Sequence, residues 1–131
     1  MKLILETTFL IDLERESRRD ISGPAMAFLD SASASTMSIT FTIAGEMAAG
    51  MALRARSKWE DFMSSYRVLG CTTDVCWNYG ELYRHLKQQG TPIGSNDLWI
   101  AATALAYGRS LVTRNTRHYG LVPGLEVVEY G

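Results

Sequence analysis

Gly94-Ser95-Asn96-Asp97-Leu98-Trp99-Ile100-Ala101-Ala102-Thr103-Ala104-Leu105-Ala106-Tyr107-Gly108 reads as a small-residue helix with one carboxylate near its start. Asn96 or Ser95 can cap it, and Gly108 can end it. Leu98, Ile100, Ala101, Ala104 and Leu105 leave almost no polar side chain between Asp97 and Tyr107. Such a helix is buried nearly all round, and its alanines let neighbouring elements approach closely. Asp97 therefore stands at the edge of a packed core, as a partner of the helix dipole or as a ligand.

Outward from this helix, apolar runs alternate with helical patterns. Lys2 to Leu5 reads as a buried strand that delivers Glu6 at its end, and Phe9 to Glu16 as a helix with Phe9, Leu10 and Leu13 on one face. The charged run Glu14 to Asp20 reads as a solvated helix end and loop. Gly23-Pro24 opens a short helix over Ala25 to Ala32, and Thr36 to Phe41 alternates as a second strand. A long helical region follows from Thr42, with Ser57 starting the second helix of a hairpin. Gly70 to Thr73 reads as a brief strand before Asp74, the expected cap of a helix running to Gln89. After the central helix come a strand over Ser110 to Thr113, a turn over Asn115 to Tyr119 and a last strand over Leu125 to Tyr130. Strands alternating with helices predict an α/β sandwich with a mainly parallel central sheet.

With 131 residues, 47% of them hydrophobic and 21% charged, the chain is expected to form a single domain over residues 1–131. Thirteen basic residues against fourteen acidic ones leave a net charge of -1, which excludes a global cationic field for nucleic acid. The apolar run Leu98 to Ala106 is shorter than the about 20 residues that span a bilayer, so no membrane association and a cytoplasmic location are expected. Cys71 and Cys76 are too few for a structural zinc site and read as buried free thiols.

Polar residues at strand ends and helix starts mark where chemistry can sit. Glu6 follows the first strand, Glu46 lies on the helix after the second, Asp97 starts the central helix, and Asn115 follows a later strand. In an open α/β sheet these segments can meet at the carboxyl ends of the strands, where ligands bind. Carboxylates and a carboxamide form an all-oxygen set suited to Mg²⁺ or Mn²⁺, which can ionise a water and stabilise charge on a phosphoryl oxygen. Each residue also has a purely structural role open to it. Glu6 can end a strand in solvent, Asp97 can serve the helix dipole, and Asn115 can cap a turn. Glu46 is harder to place that way, because Ile43, Met47, Ala49 and Gly50 around it are small or apolar. Arg114 and Arg117 bracket Asn115 and can hold substrate phosphates, or stay solvated. Tyr79 and Tyr83, four residues apart, read as core or dimer surface.

Leu5-Glu6-Thr7-Thr8-Phe9-Leu10-Ile11-Asp12, Ser38-Ile39-Thr40 leading to Glu46, Ile93 to Ala102, and Leu111 to Tyr119 with Val122-Pro123-Gly124-Leu125 together resemble the PIN-domain ribonucleases, and within them the VapC-type toxins of bacterial toxin-antitoxin pairs. The resemblance covers essentially the whole chain. It implies a small three-layer α/β sandwich, an endoribonuclease dependent on Mg²⁺ or Mn²⁺, and a cognate VapB-like antitoxin that lies along the toxin and blocks its site. It also implies a homodimer and an RNA substrate such as a transfer or ribosomal RNA. Carried over by position, it puts the family's acids on Glu6, Glu46 and Asp97 and its last-block residue on Asn115; from the chain's own residues, Thr113 is expected to complete the metal's shell with Asn115, and Arg114 with Arg117 to contact the RNA backbone. The family's first acid is normally aspartate, and here it is Glu6, whose carboxylate reaches about 1.5 Å further. Mg²⁺ demands near-ideal octahedral geometry, so the alternative is a catalytically attenuated PIN scaffold that binds antitoxin or RNA without efficient cleavage.

Overall fold

Leu3, Ile4 and Leu5 point to opposite faces of a strand yet are all at most 1% exposed, which requires helices on both sides of it. In the computed structural model, which describes residues 1–131, this strand is β1 (Lys2–Leu5), the middle of a five-stranded sheet. The others are β2 (Thr36–Thr40), β3 (Arg67–Leu69), β4 (Ser110–Val112) and β5 (Val127–Val128). Their order across the sheet is β3-β2-β1-β4-β5, and every neighbouring pair is parallel.

The chain leaves β1 through α1 (Thr7–Arg18) and α2 (Pro24–Ser31) to reach β2. It then runs through α3 (Phe41–Ala49), a single 3-10 turn (Met51–Leu53) and α4 (Arg56–Met63) to the edge strand β3. Two packed helices, α5 (Thr73–Gln88) and α6 (Ser95–Tyr107), carry it back across to the other side of β1, where β4 forms. The four-residue α7 (Thr116–Tyr119) leads on to β5. Strand order thus reverses at β1 and β4, and the carboxyl ends of these two strands open the crevice that such sheets use for ligands.

The quoted stretch forms α6, and Leu98, Ile100, Ala101, Ala102, Thr103 and Ala104 are buried, so the helix sits inside the fold as its composition predicts. Gly108 ends it in the left-handed conformation at φ 64°, where a side chain would be strained. Its N-cap differs from expectation. Gly94 occupies that position without a side-chain cap, and Ser95 and Asn96 lie inside the first turn.

Five other expectations are corrected. The edge strand is Arg67–Leu69 rather than Gly70 to Thr73; only Leu69 of its three residues is buried, and one inward side chain gives no readable alternation. Thr72, not Asp74, caps α5, its Oγ1 accepting from Val75 N at 3.2 Å. Cys71 and Cys76 are exposed, with their sulfurs 3.6 Å apart. The charged run after Leu13 is not wholly solvated: Glu16 is 6% exposed and accepts from the backbone N–H groups of Gly23, Ala25 and Met26 at 2.8, 3.1 and 3.0 Å. A carboxylate on α1 thereby caps α2, whose own N-cap Gly23 has no side chain to do so. The last strand is also shorter than expected, two residues within Leu125 to Tyr130. Tyr79 stacks on Trp99 of α6 at 4.0 Å and lies parallel to Tyr83 at 6.5 Å, and Tyr83 is 51% exposed.

Candidate active site

Glu6 is the first residue past β1, and its backbone N–H still pairs with Val112 O of β4 at 3.0 Å. Its side chain turns back as the N-cap of α1: Oε2 accepts from Thr8 N at 3.1 Å, and Oε1 accepts from Thr8 Oγ1 at 2.9 Å and from Thr113 Oγ1 at the end of β4. One carboxylate therefore ties together the ends of both central strands and the start of α1, and Glu6 is only 4% exposed. Thr113 in turn accepts from Asn115 N at 3.0 Å. Asn115 precedes α7, and its side chain makes no capping bond there.

Glu46 arrives from α3, because Thr40 caps that helix right at the end of β2 and fixes its axis over the same edge. Thr7 Oγ1 donates to Glu46 Oε1 at 2.6 Å. Burial raises the Glu46 carboxyl above the usual range; the Thr7 bond opposes this, the charges of Glu6 and Asp97 add to it, and the Asn96 carboxamide draws it partly back. Asp97 is half-buried in the first turn of α6, where the helix dipole favours its charge. Tyr119 OH donates to Asp97 Oδ1 at 3.0 Å, and His118 Nε2 lies 3.5 Å from Oδ2 without forming a hydrogen bond. Tyr119 is fully buried, and its hydroxyl is held in the neutral form first by burial and then by the charges of Glu6, Asp97 and Glu46. Glu46 and Tyr119 both feel the other carboxylates, which marks one shared electrostatic site.

The structure therefore brings Glu6, Glu46, Asp97, Thr113 and Asn115 to one edge. Arg114 stands beside them, its backbone N–H donating to Thr8 Oγ1 at 3.3 Å, and Arg117 is exposed on α7 with no ion pair. Thr7, Thr8, Asn96 and Tyr119 were not legible as site residues. The only signal for the threonines was two hydroxyls directly after a strand-end acid, and Tyr119 read as part of a turn.

A hard divalent cation suits this donor set, because its carboxylates and carboxamide offer oxygen atoms and no lysine or arginine pairs with Glu46 or Asp97; the unpartnered His118 Nε2 is a nitrogen beside Asp97. No three His, Cys, Asp or Glu side chains converge closely enough to hold a metal by themselves. Such a cation would keep several waters, as Mg²⁺ does. From Glu46 a cleft of about 260 Å³ runs between α1 and the Met51–Leu53 turn, with Ile11, Met47 and Met51 on its walls and Arg15 and Arg18 at its rim.

A PIN domain model matches residues 3–121. The chain is 41% identical to ribonuclease VapC1 of Haemophilus influenzae over 59 residues, 45% of this chain and 44% of that one, so the chain spans about half the length of that relative. With ribonuclease VapC of Rickettsia bellii the identity is 30% over 134 residues, 98% of this chain and 96% of the relative. The fold is similar to that in the crystal structure of VapBC2 from Rickettsia felis bound to a DNA fragment from their promoter, with a TM-score of 0.84, 25% identity and full coverage of both chains. A family model over most of the chain, together with a relative matched nearly end to end, shows that the chain belongs to the PIN domain family, beside relatives named as VapC ribonucleases.

Proposed function

We propose that this chain is an endoribonuclease toxin that hydrolyses RNA phosphodiesters with water as the nucleophile, and that a VapB-like antitoxin silences it. The observation that carries the reading is that Glu6 at the end of β1, Glu46 held by Thr7 and Asp97 held by Tyr119 lie at the switch-point edge of a PIN domain. Mg²⁺ or Mn²⁺, when bound, supplies an ionised water and neutralises charge at the scissile phosphate. Asp97, oriented by Tyr119, and Glu46, oriented by Thr7, would hold it, and Glu6 offers Oε2, which accepts one bond from Thr8. Asn115 and Thr113 would support the shell on the β4 side, and Arg114 and Arg117 would contact the RNA backbone. The apolar cleft that opens at Glu46 fits an antitoxin segment that covers the site, and the exposed Tyr83 and Trp77 on α5 fit a homodimer surface.

One observation favours the attenuated reading. Glu6 spends its carboxylate on Thr8 and Thr113, so less of it is left for a cation than a shorter acid would offer. Cleavage of RNA by the antitoxin-free chain, as written and as Glu6→Asp, in Mg²⁺, in Mn²⁺ and in chelator, tests both readings. Metal-dependent cutting by the chain as written supports the toxin, with Glu6→Asp altering the rate by up to about 10- to 100-fold as for other groups that tune a metal. Cutting by Glu6→Asp alone makes this chain the binding form, and no cutting by either form contradicts the proposal.

A further inference from the structure

Arg114 follows Thr113 directly at the carboxyl end of β4, one hydrogen bond from the Thr8 hydroxyl that donates to Glu6. Its guanidinium is not loose. Nε lies 3.3 Å from Asp12 Oδ2, and Tyr130 OH donates to the same oxygen at 2.7 Å. The Asp12 side chain is 14% exposed and that of Arg114 57%, so the anchor is sheltered while the cation faces outward. Arg15 Nη1 lies 3.9 Å from the other Asp12 oxygen, which completes the charge around this acid.

A guanidinium has a rigid fork of donors, and with Nε in ion-pair range of Asp12 the terminal amines remain to match two oxygens of one phosphate. An exposed arginine without an anchor loses side-chain entropy when it grips a ligand; one held in place loses less. Arg117 has no comparable partner in the structure. We infer that Asp12, itself fixed by Tyr130, is a positioning residue that holds Arg114 beside Glu6 and Thr113 to bind a backbone phosphate flanking the scissile bond. This rests on the endoribonuclease reading and adds to it a substrate contact with a built-in support. If the Asp12–Arg114 pair served only to fasten Tyr130 and the last strand to α1, RNA would not sense it.

The test is equilibrium binding of a fluorescein-labelled, mixed-sequence single-stranded RNA oligonucleotide over a KCl series, without divalent metal, with cleavage of the same RNA measured in parallel with metal. The variants are Arg114→Ala, Arg114→Lys, Arg117→Ala, Asp12→Asn and the Asp12→Asn/Arg114→Ala double variant. Arg114→Ala is expected to weaken binding about tenfold and to reduce the slope of log K against log[salt] by about 0.7, the loss of one phosphate contact on a single strand. Arg114→Lys keeps the slope and loses affinity, because the charge stays and the fork goes. Asp12→Asn weakens binding in the wild-type background and adds nothing to Arg114→Ala, as expected of a residue acting through another. Should Asp12→Asn fail to fold, Tyr130→Phe removes the other support and takes its place. Arg117→Ala is expected to change affinity less than Arg114→Ala. Additive losses from Asp12→Asn and Arg114→Ala, an unchanged salt slope in Arg114→Ala, or no RNA binding at all overturns the inference. If the chain binds RNA with this pattern but never cuts it, the activity reading falls and the phosphate site stands. If it cuts RNA with Arg114→Ala indistinguishable from wild type, only the phosphate site falls.

Discussion

Tyr119 is a buried phenol whose only polar partner in the fold is Asp97, and it faces the charges of Glu6, Asp97 and Glu46. Such a hydroxyl stays a donor at every physiological pH, so it orients one carboxylate oxygen of Asp97, while the other has His118 Nε2 3.5 Å away. Tyr119→Phe keeps the packing and removes that hydrogen bond. Activity is expected to fall about 10- to 100-fold with little loss of stability, as when outer partners of metal ligands are removed; steady-state cleavage and a urea melt check it. Glu46 answers differently. Its carboxyl is raised above the ordinary range, first by burial, so the folded chain holds this proton more tightly than the unfolded one. The stability tied to Glu46 is then fully present below the ordinary glutamate range and is lost as pH rises through the raised value. Glu46→Gln removes the charge and keeps an oxygen for Thr7. It is expected to raise the neutral-pH stability by about 1 kcal/mol and to abolish cutting, with the gain vanishing at acid pH. Urea midpoints across pH that show no such gain would count against the electrostatic account of the site.

At the scale of elements, Glu16 joins α1 to α2. Burial opposes its charge, but three backbone N–H groups at the start of α2 outweigh that and hold its carboxyl below the usual range. Its contribution is therefore present at neutral pH and is lost as pH falls through the ordinary glutamate range and then the lowered value. Glu16→Ala leaves those donors unpaired and is expected to cost about 2–3 kcal/mol at neutral pH, less at acid pH. Gly23 belongs to the same device, since a Cβ there would lie 2.6 Å from the Glu16 carboxyl carbon. Gly23→Ala should thus lose much of the same stability, although its φ of -103° suits any residue. Thermal melts of both variants and of their combination check this, and fully additive losses would contradict a shared origin. The sequence offered little to reveal it. Glu16 sits among Glu14, Arg15, Arg18 and Arg19, where composition says solvent, and only the return of the chain at Gly23 gives the carboxylate its partners. Gly108 after α6, a cap that relies only on its neighbours in sequence, was legible, and Thr40 caps α3 two residues before the helical start expected at Thr42.

Across the whole molecule, the site exists because β1 and β4 lie side by side while 107 positions separate Glu6 from Thr113. Carboxylates at strand ends and helix starts can be read from sequence, since local pattern already places them at one edge of an α/β sheet. Their hydroxyl partners cannot. Thr7 reaches Glu46 over 39 positions and Tyr119 reaches Asp97 over 22, and neither contact leaves a periodic signal. The edge strands β3 and β5 were misplaced or overlong because they have three and two residues, too few for any alternation to show. With a net charge of -1, the proposed grip on RNA would come from local cations at this edge rather than from the whole surface. The claim on which everything else depends is that these carboxylates cut RNA by metal-assisted hydrolysis. The most direct measurement is the chemistry of the new RNA ends made by the chain and by Asp97→Asn, with Mg²⁺ or Mn²⁺ and with chelator. The account predicts 5′-phosphate and 3′-hydroxyl ends that require metal and disappear in Asp97→Asn; 2′,3′-cyclic phosphate ends, or cutting that survives both the chelator and the substitution, would contradict it.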